Sequence, residues 1–151
     1  MEQKNLFNRD IEDEILNRLE ALTPNAERIW GKMEVSQMLS HCSAWLEIAC
    51  GLKHPPRVFI GRILGPLFKS NFYNEKPLEK NGPSDKSTIV SLSGSFEEEK
   101  ERLKKMIILF AKGGAVKCTT NPHPFFGRLT PTQWSTGMYK HIDHHLRQFG
   151  G

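Results

Sequence analysis

Four stretches of this chain repeat apolar side chains at the 3.6-residue period of an α-helix, and the one strand-like run has no evident partner. That pattern constrains the fold more than composition does, because each stretch also carries its own boundary signals. In "FNRDIEDEILNRLEAL" (Phe7–Leu22), Ile11, Ile15, Leu19 and Leu22 share a face, acids gather near the start, and "TPN" closes the segment. "EVSQMLSHCSAWLEIACGL" (Glu34–Leu52) ends near Gly51, with Ser36, Ser40, Ser43 and Glu47 on one polar stripe and Met38, Cys42, Trp45 and Leu46 on a broad apolar side. "SFEEEKERLKKMIILFAKGG" (Ser95–Gly114) opens on an S-x-x-E capping box, runs from acids to bases and stops at paired glycines. The last stretch starts at "TPTQW", with Thr130 as N-cap, Pro131 at the first helical position and Gln133 at the third, and runs to about Phe149.

Between the second and third stretches lies a long connection, residues 53–93, broken by Pro55, Pro56, Pro66, Pro77 and Pro83. "RVFIGRILGPLFKS" suggests a short helix there, and "STIVSLSG" (Ser87–Gly94) looks weakly strand-like. One unpaired strand is not a sheet. The expectation is therefore an all-α four-helix bundle formed by a single domain, residues 1–151, with a long irregular connection between helices 2 and 3.

Bulk properties narrow the function classes. At 151 residues, with 38% hydrophobic and 25% charged, the chain can bury a core of its own. Its longest unbroken apolar run, "MIILFA", is too short to span a bilayer. The N-terminus lacks the apolar core of a secretory signal, which points to a cytoplasmic protein. The net charge is only +4, and its cations (Lys53, Arg57, Arg62, Lys69, Lys76, Lys80, Lys86) are scattered rather than gathered in a stripe, so no nucleic-acid partner is expected. Cys42 and Cys50 fall about 12 Å apart on one helix, beyond the roughly 7 Å reach of a disulfide. Reduced thiols fit better than a disulfide framework.

Three of the six histidines crowd into "KHIDHHLRQFGG" at the C-terminus. Helical angle divides them. His141 and His145, four apart, lie about 40° apart on the wheel and can reach one point. Trp134, Met138 and Gln148 share that face, whereas Lys140, Asp143 and Arg147 fall on the solvated side and His144 between. An HxxxH pair suits zinc and other first-row metals, although helix-end histidines also occur because a cation suits the negative end of the dipole. His41 points to the apolar side of the second helix, where one histidine alone is more often a hydrogen-bonded core residue. Together the three make a facial set of nitrogens that leaves positions open, as catalytic metal sites do. Of the others, His123 in "NPHPFFG" reads as a loop residue or a pocket rim, and His54 as exposed. Glu34 reads as second shell or as an ordinary N-terminal acid, and Cys42 as core or an adventitious ligand.

At "WGKMEVSQMLSHCSAWLEIA" (Trp30–Ala49), "HPFFGRLTPTQW" (His123–Trp134) and "YKHIDHHLRQFG" (Tyr139–Gly150) the chain resembles the DinB/YfiT-like superfamily of metal-binding four-helix bundles, in a branch of uncharacterised function (domain of unknown function 1569). Many members read His-Arg-Gly-Gln where this chain has "HHLRQ", with Leu146 and Arg147 in the middle and Gln148 retained. The resemblance implies a divalent ion (Zn, Ni or Fe) on His41, His141 and His145, with Glu34, Trp45, His123, Trp134, Met138 and Gln148 around it as second shell or pocket. It implies a thiol S-transferase using a low-molecular-weight thiol, or a hydrolase activating water, on a small-molecule substrate, and by analogy a homodimer. The alternative is a non-catalytic metal-binding bundle serving protein interaction or stability.

Overall fold

A computed structural model describes residues 3–82 and 94–151. Among the described residues there are five helices and no strand: α1 (Arg9–Ala21), α2 (Val35–Ala49), α3 (Phe59–Tyr73), α4 (Phe96–Lys117) and α5 (Pro131–Gln148). The strand-like stretch Ser87–Gly94 lies, apart from Gly94, outside the described residues.

The boundaries follow from local chemistry. Asn8 caps α1 by accepting a hydrogen bond from the Asp10 amide. Ser95 with Glu98 and Thr130 with Gln133 form the capping boxes expected for α4 and α5. Gly114 adopts φ 54°, so the regular part of α4 stops at the glycine pair and a last short turn carries the chain to Lys117.

Helix α2 is buried almost all round, down to Ser40 and Ser43 at 2% and 0% exposure. Its polar stripe therefore faces protein. Arg102 of α4 donates to Ser40 Oγ at 3.3 Å and to Glu47 Oε1 at 2.6 Å where the two helices meet, whereas the buried Ser43 hydroxyl has no hydrogen-bond partner among the described residues. Helix α2 packs against α4 and α5, and α1 against the same two; Leu19, Leu39, Leu46, Leu103, Ile107, Phe110, Trp134 and Ile142 join one apolar cluster. Arg18 of α1 reaches Asp143 of α5 at 2.7 Å.

The connection expected to be irregular holds a full 15-residue helix, α3, packed on α5. Its buried residues are Gly61 and Gly65, with Phe72 near the C-terminal end the one bulky side chain among them. A Cβ on Gly61 or Gly65 would come within 2.5 Å of the Phe125 carbonyl oxygen, so both glycines let the loop after α4 lie directly on the helix. Arg57 and the Val58 amide bind the Pro124 carbonyl at 3.1 and 2.9 Å, holding that loop to the start of α3. The larger apolar residues of α3 point outward: Phe59, Ile60, Ile63, Leu67 and Phe68 are all exposed. This inversion explains why periodicity reveals α3 only in part.

Candidate metal centre

Helices α2 and α5 cross the core with His41 on one and His141 and His145 on the other. Their three imidazoles offer one nitrogen each within 4.8 Å of one another. The Nε2 atoms of His41 and His141 are 3.0 Å apart, and the ring centroids of the three pairs lie 4.7 to 4.9 Å apart. His41 and His145 are buried, at 2% and 7% exposure.

One tautomer can be assigned. Gln148 Nε2 donates to the Trp30 carbonyl at 2.8 Å, which turns its Oε1 to His145 Nδ1, also at 2.8 Å. An amide oxygen accepts, so His145 Nδ1 carries the proton and Nε2 keeps its lone pair. Burial, then the neighbouring imidazole of His41, pushes the His145 pKa down to about 3. Burial and the neighbouring histidines likewise hold His141 well below 6.5. His141 and His145 are therefore neutral, and among the described residues no acid belongs to the set. His141 Nδ1 is buried without a hydrogen-bond partner among the described residues, a sign that hydrogen bonding alone does not account for the cluster.

These residues fit a divalent ion. Three nitrogens about 2.0–2.1 Å from a tetrahedral ion stand about 3.3 Å from one another, close to the 3.0 Å between His41 and His141. Cys42 does not belong to the donor set: its sulfur contacts Met38 Sδ at 3.8 Å, and burial drives its thiol pKa strongly upward.

An aromatic wall surrounds the imidazoles. His123 is no surface loop residue but is 3% exposed, with its ring stacked on Trp45 at 4.8 Å. Its Nδ1 accepts the amides of Phe125 and Phe126 at 3.0 and 3.2 Å, which a tight turn from His123 to Gly127 makes possible. Trp45 stands between that ring and His141. Trp134 is fully buried, its indole N–H donating to the Asn121 carbonyl at 3.2 Å, and Met138 lies beside it in the core.

Glu34 does not join the site. It is the N-cap of α2, exposed and paired with Arg28 at 2.6 Å. It shares the angular sector of His41 but lies seven residues, about 10 Å, along the axis. His144 sits outside the triad with its ring edge-on to Trp30, and His54 is exposed.

Two contributors escaped sequence reasoning. Phe72 of α3 packs against His123 and Trp134, and Gly137 of α5 makes the room for it. A glycine inside a strongly capped helix was the available signal. Beside the His144 face runs a groove of about 670 Å³ lined by Trp30, Lys76, Lys80, Lys140 and Arg147 among others. Lys80 stands 4.5 Å over the Trp30 ring.

The model of one family, described as "Protein of unknown function (DUF1569)", matches residues 1–150. No curated protein and no solved structure matches the chain. The family match does not extend to the DinB/YfiT superfamily.

Proposed function

We propose that this protein, which belongs to the DUF1569 family, holds a divalent ion (Zn, Ni or Fe) on His41, His141 and His145 and uses it as a small-molecule enzyme. The observation that carries the reading is the convergence of three imidazoles from two helices with no acid among them in the described residues. A divalent ion on three nitrogens supplies Lewis acidity and lowers the pKa of a water or thiol at its open positions. The chain does the rest. Gln148 fixes the His145 tautomer, the Trp45–His123 stack presses on His141, and the neighbouring groove carries more cations (Lys4, Lys76, Lys80, Lys140 and Arg147) than acids (Glu75 and Asp143), a net positive lining for an anionic substrate.

A low-molecular-weight thiol transferred by an S-transferase, or a substrate hydrolysed by activated water, both suit this chemistry. The thiol reading rests on resemblance to DinB/YfiT-like four-helix bundles and on the basic groove. We place the protein in the cytoplasm, with no nucleic-acid or membrane partner, and assign a homodimer to the exposed apolar face of α3.

The rival reading is structural. The donors come from two helices, so an ion there would also pin α2 to α5 without doing chemistry. Elemental analysis of tag-free protein, alongside His41→Ala and His145→Ala, tests the centre. About one ion per chain in the parent and its loss from both variants are expected; full retention by both overturns the assignment. His141→Ala then separates the readings: metal lost with helical content intact favours a catalytic ion, and loss of the helical signal favours a structural one.

A further inference from the structure

Away from the imidazoles, two thiols meet where α2 and α4 end. Cys50 is the C-cap of α2 and Cys118 the C-cap of α4, and their sulfurs are 3.2 Å apart. Both are free cysteines. The backbones are already joined there, because the Thr119 amide donates to the Ala49 carbonyl at 2.7 Å. Each cysteine is followed by a residue at positive φ, Gly51 at 72° and Thr119 at 67°, so both chains turn away immediately after presenting a sulfur. Gly113 leaves the space: a Cβ there would come within 2.6 Å of Cys118 Sγ. Spacing along one helix considers Cys42 with Cys50 and cannot see this pair, whose members are 68 residues apart.

We propose that Cys50 and Cys118 are a reversible redox pair that closes to a disulfide in the presence of a peroxide. Joining them asks the sulfurs to approach by about 1 Å, to the 2.05 Å bond length. Cys50 is half-buried and Cys118 only 2% exposed, so Cys50 reacts first. Cys50 sulfur attacks one peroxide oxygen as its thiol proton is lost; the S–O bond forms, the O–O bond breaks, and the leaving hydroxide takes up that proton to become water. Cys118 sulfur then attacks the Cys50 sulfenic acid; the S–S bond forms, the S–O bond breaks, and a second water leaves with the remaining thiol proton. Two thiols are oxidised by two electrons and one peroxide is reduced to two waters. Burial, with the adjacent Cys118, raises the Cys50 thiol pKa, so Cys50 rests as a protonated thiol. Cys50 lies nine residues beyond His41, about 13 Å along α2, which keeps the pair distinct from the imidazole cluster.

The test uses the full tag-free chain, treated with hydrogen peroxide, denatured, and alkylated before intact-mass and peptide analysis. The expected product has lost two hydrogens and takes up a single alkyl group, at Cys42, with fragmentation placing the bond between Cys50 and Cys118. A dithiol reductant should restore three alkylatable thiols. Closing a loop of this length should also raise Tm by roughly 5–10 °C. Cys50→Ser and Cys118→Ser should each abolish the bond, and Cys42→Ser should leave it intact. Oxidation that stops at sulfenic or sulfinic acid, a bond involving Cys42, or a bond between two chains overturns the proposal. The peptide map of the parent protein decides it even if a serine variant does not fold.

Discussion

Replacing Gly137 with alanine should destabilise the protein, against the ordinary effect of that change in a helix interior. Helix propensity alone favours alanine by about 1 kcal/mol. The structure opposes this with a collision: an added Cβ would lie 2.5 Å from Phe72 Cδ1 and nearer still to Cε1 and Cζ. The ring cannot simply swing away. It is boxed by His123, Phe126 and Trp134 at centroid distances of 5.0, 5.3 and 6.1 Å. Overpacking of this kind costs about 1–3 kcal/mol, so after the propensity gain the net loss should be up to about 2 kcal/mol, a Tm lower by up to a few degrees. Urea denaturation followed by circular dichroism measures it. The companion is Phe72→Ala: in that background Gly137→Ala should become neutral or stabilising, because the obstacle is gone and the propensity gain remains. A Gly137→Ala protein more stable than its parent would refute the docking of α3 on α5 described above.

Three further outcomes follow from the same geometry. Gln148→Ala removes the acceptor that fixes His145, and metal affinity measured by competition with a chelating dye should fall about 10–100-fold, whereas an unchanged affinity would separate Gln148 from the centre. Burial alone would raise the Glu47 carboxyl, but the hydrogen bonds of Lys53 and Arg102 hold it below its ordinary 4.5. Its ionised form therefore adds stability that is fully present above pH 4.5 and is lost as pH falls through the lower folded value. Arg102→Met should cost about 1 kcal/mol at neutral pH, a deficit that shrinks under acid denaturation below pH 4.5, and a deficit independent of pH would refute the pairing. Ile63→Glu with Leu67→Glu, both on exposed α3 positions, should leave Tm nearly unchanged and convert a dimer to a monomer in sedimentation equilibrium; a parent that is already monomeric removes the homodimer.

Much of the fold was legible because helix signals are local. The Ser95–Glu98 and Thr130–Gln133 boxes and the Gly113–Gly114 stop lie within a turn of the boundaries they set. The inward pair was legible for the same reason, since an angle on a wheel needs no knowledge of the neighbours. What failed was whatever needs a distance between elements. Glu34 has the right angle and the wrong height. His123 lies in a Pro/Gly-rich segment that reads as surface, yet the glycine face of α3 takes that segment as its partner and encloses it. Helix α3 was only half visible because it buries Gly61 and Gly65 and exposes Phe59 and Ile63, the reverse of the amphipathic rule. Cys50 and Cys118 become neighbours only after α2 and α4 are laid side by side.

The imidazole cluster then poses a question of stability whose answer bears on function. A buried His145 with a pKa near 3 gains nothing from protonation in the fold, so acid below the ordinary histidine value of 6.5 favours the unfolded chain. Burial and the neighbouring histidines impose the same penalty at His141, and among the described residues no carboxylate joins the cluster to relieve it. A core position needing only shape could be filled by leucine or phenylalanine at no such cost. The chain nevertheless adds structure to keep the rings aimed: a glutamine bound to the Trp30 carbonyl sets one proton, and a stacked tryptophan presses on another ring. A nitrogen held with its lone pair toward the other two rings, as at His145, suits an electron-pair acceptor, which is why the centre, rather than the groove or the exposed helix, carries the proposed function.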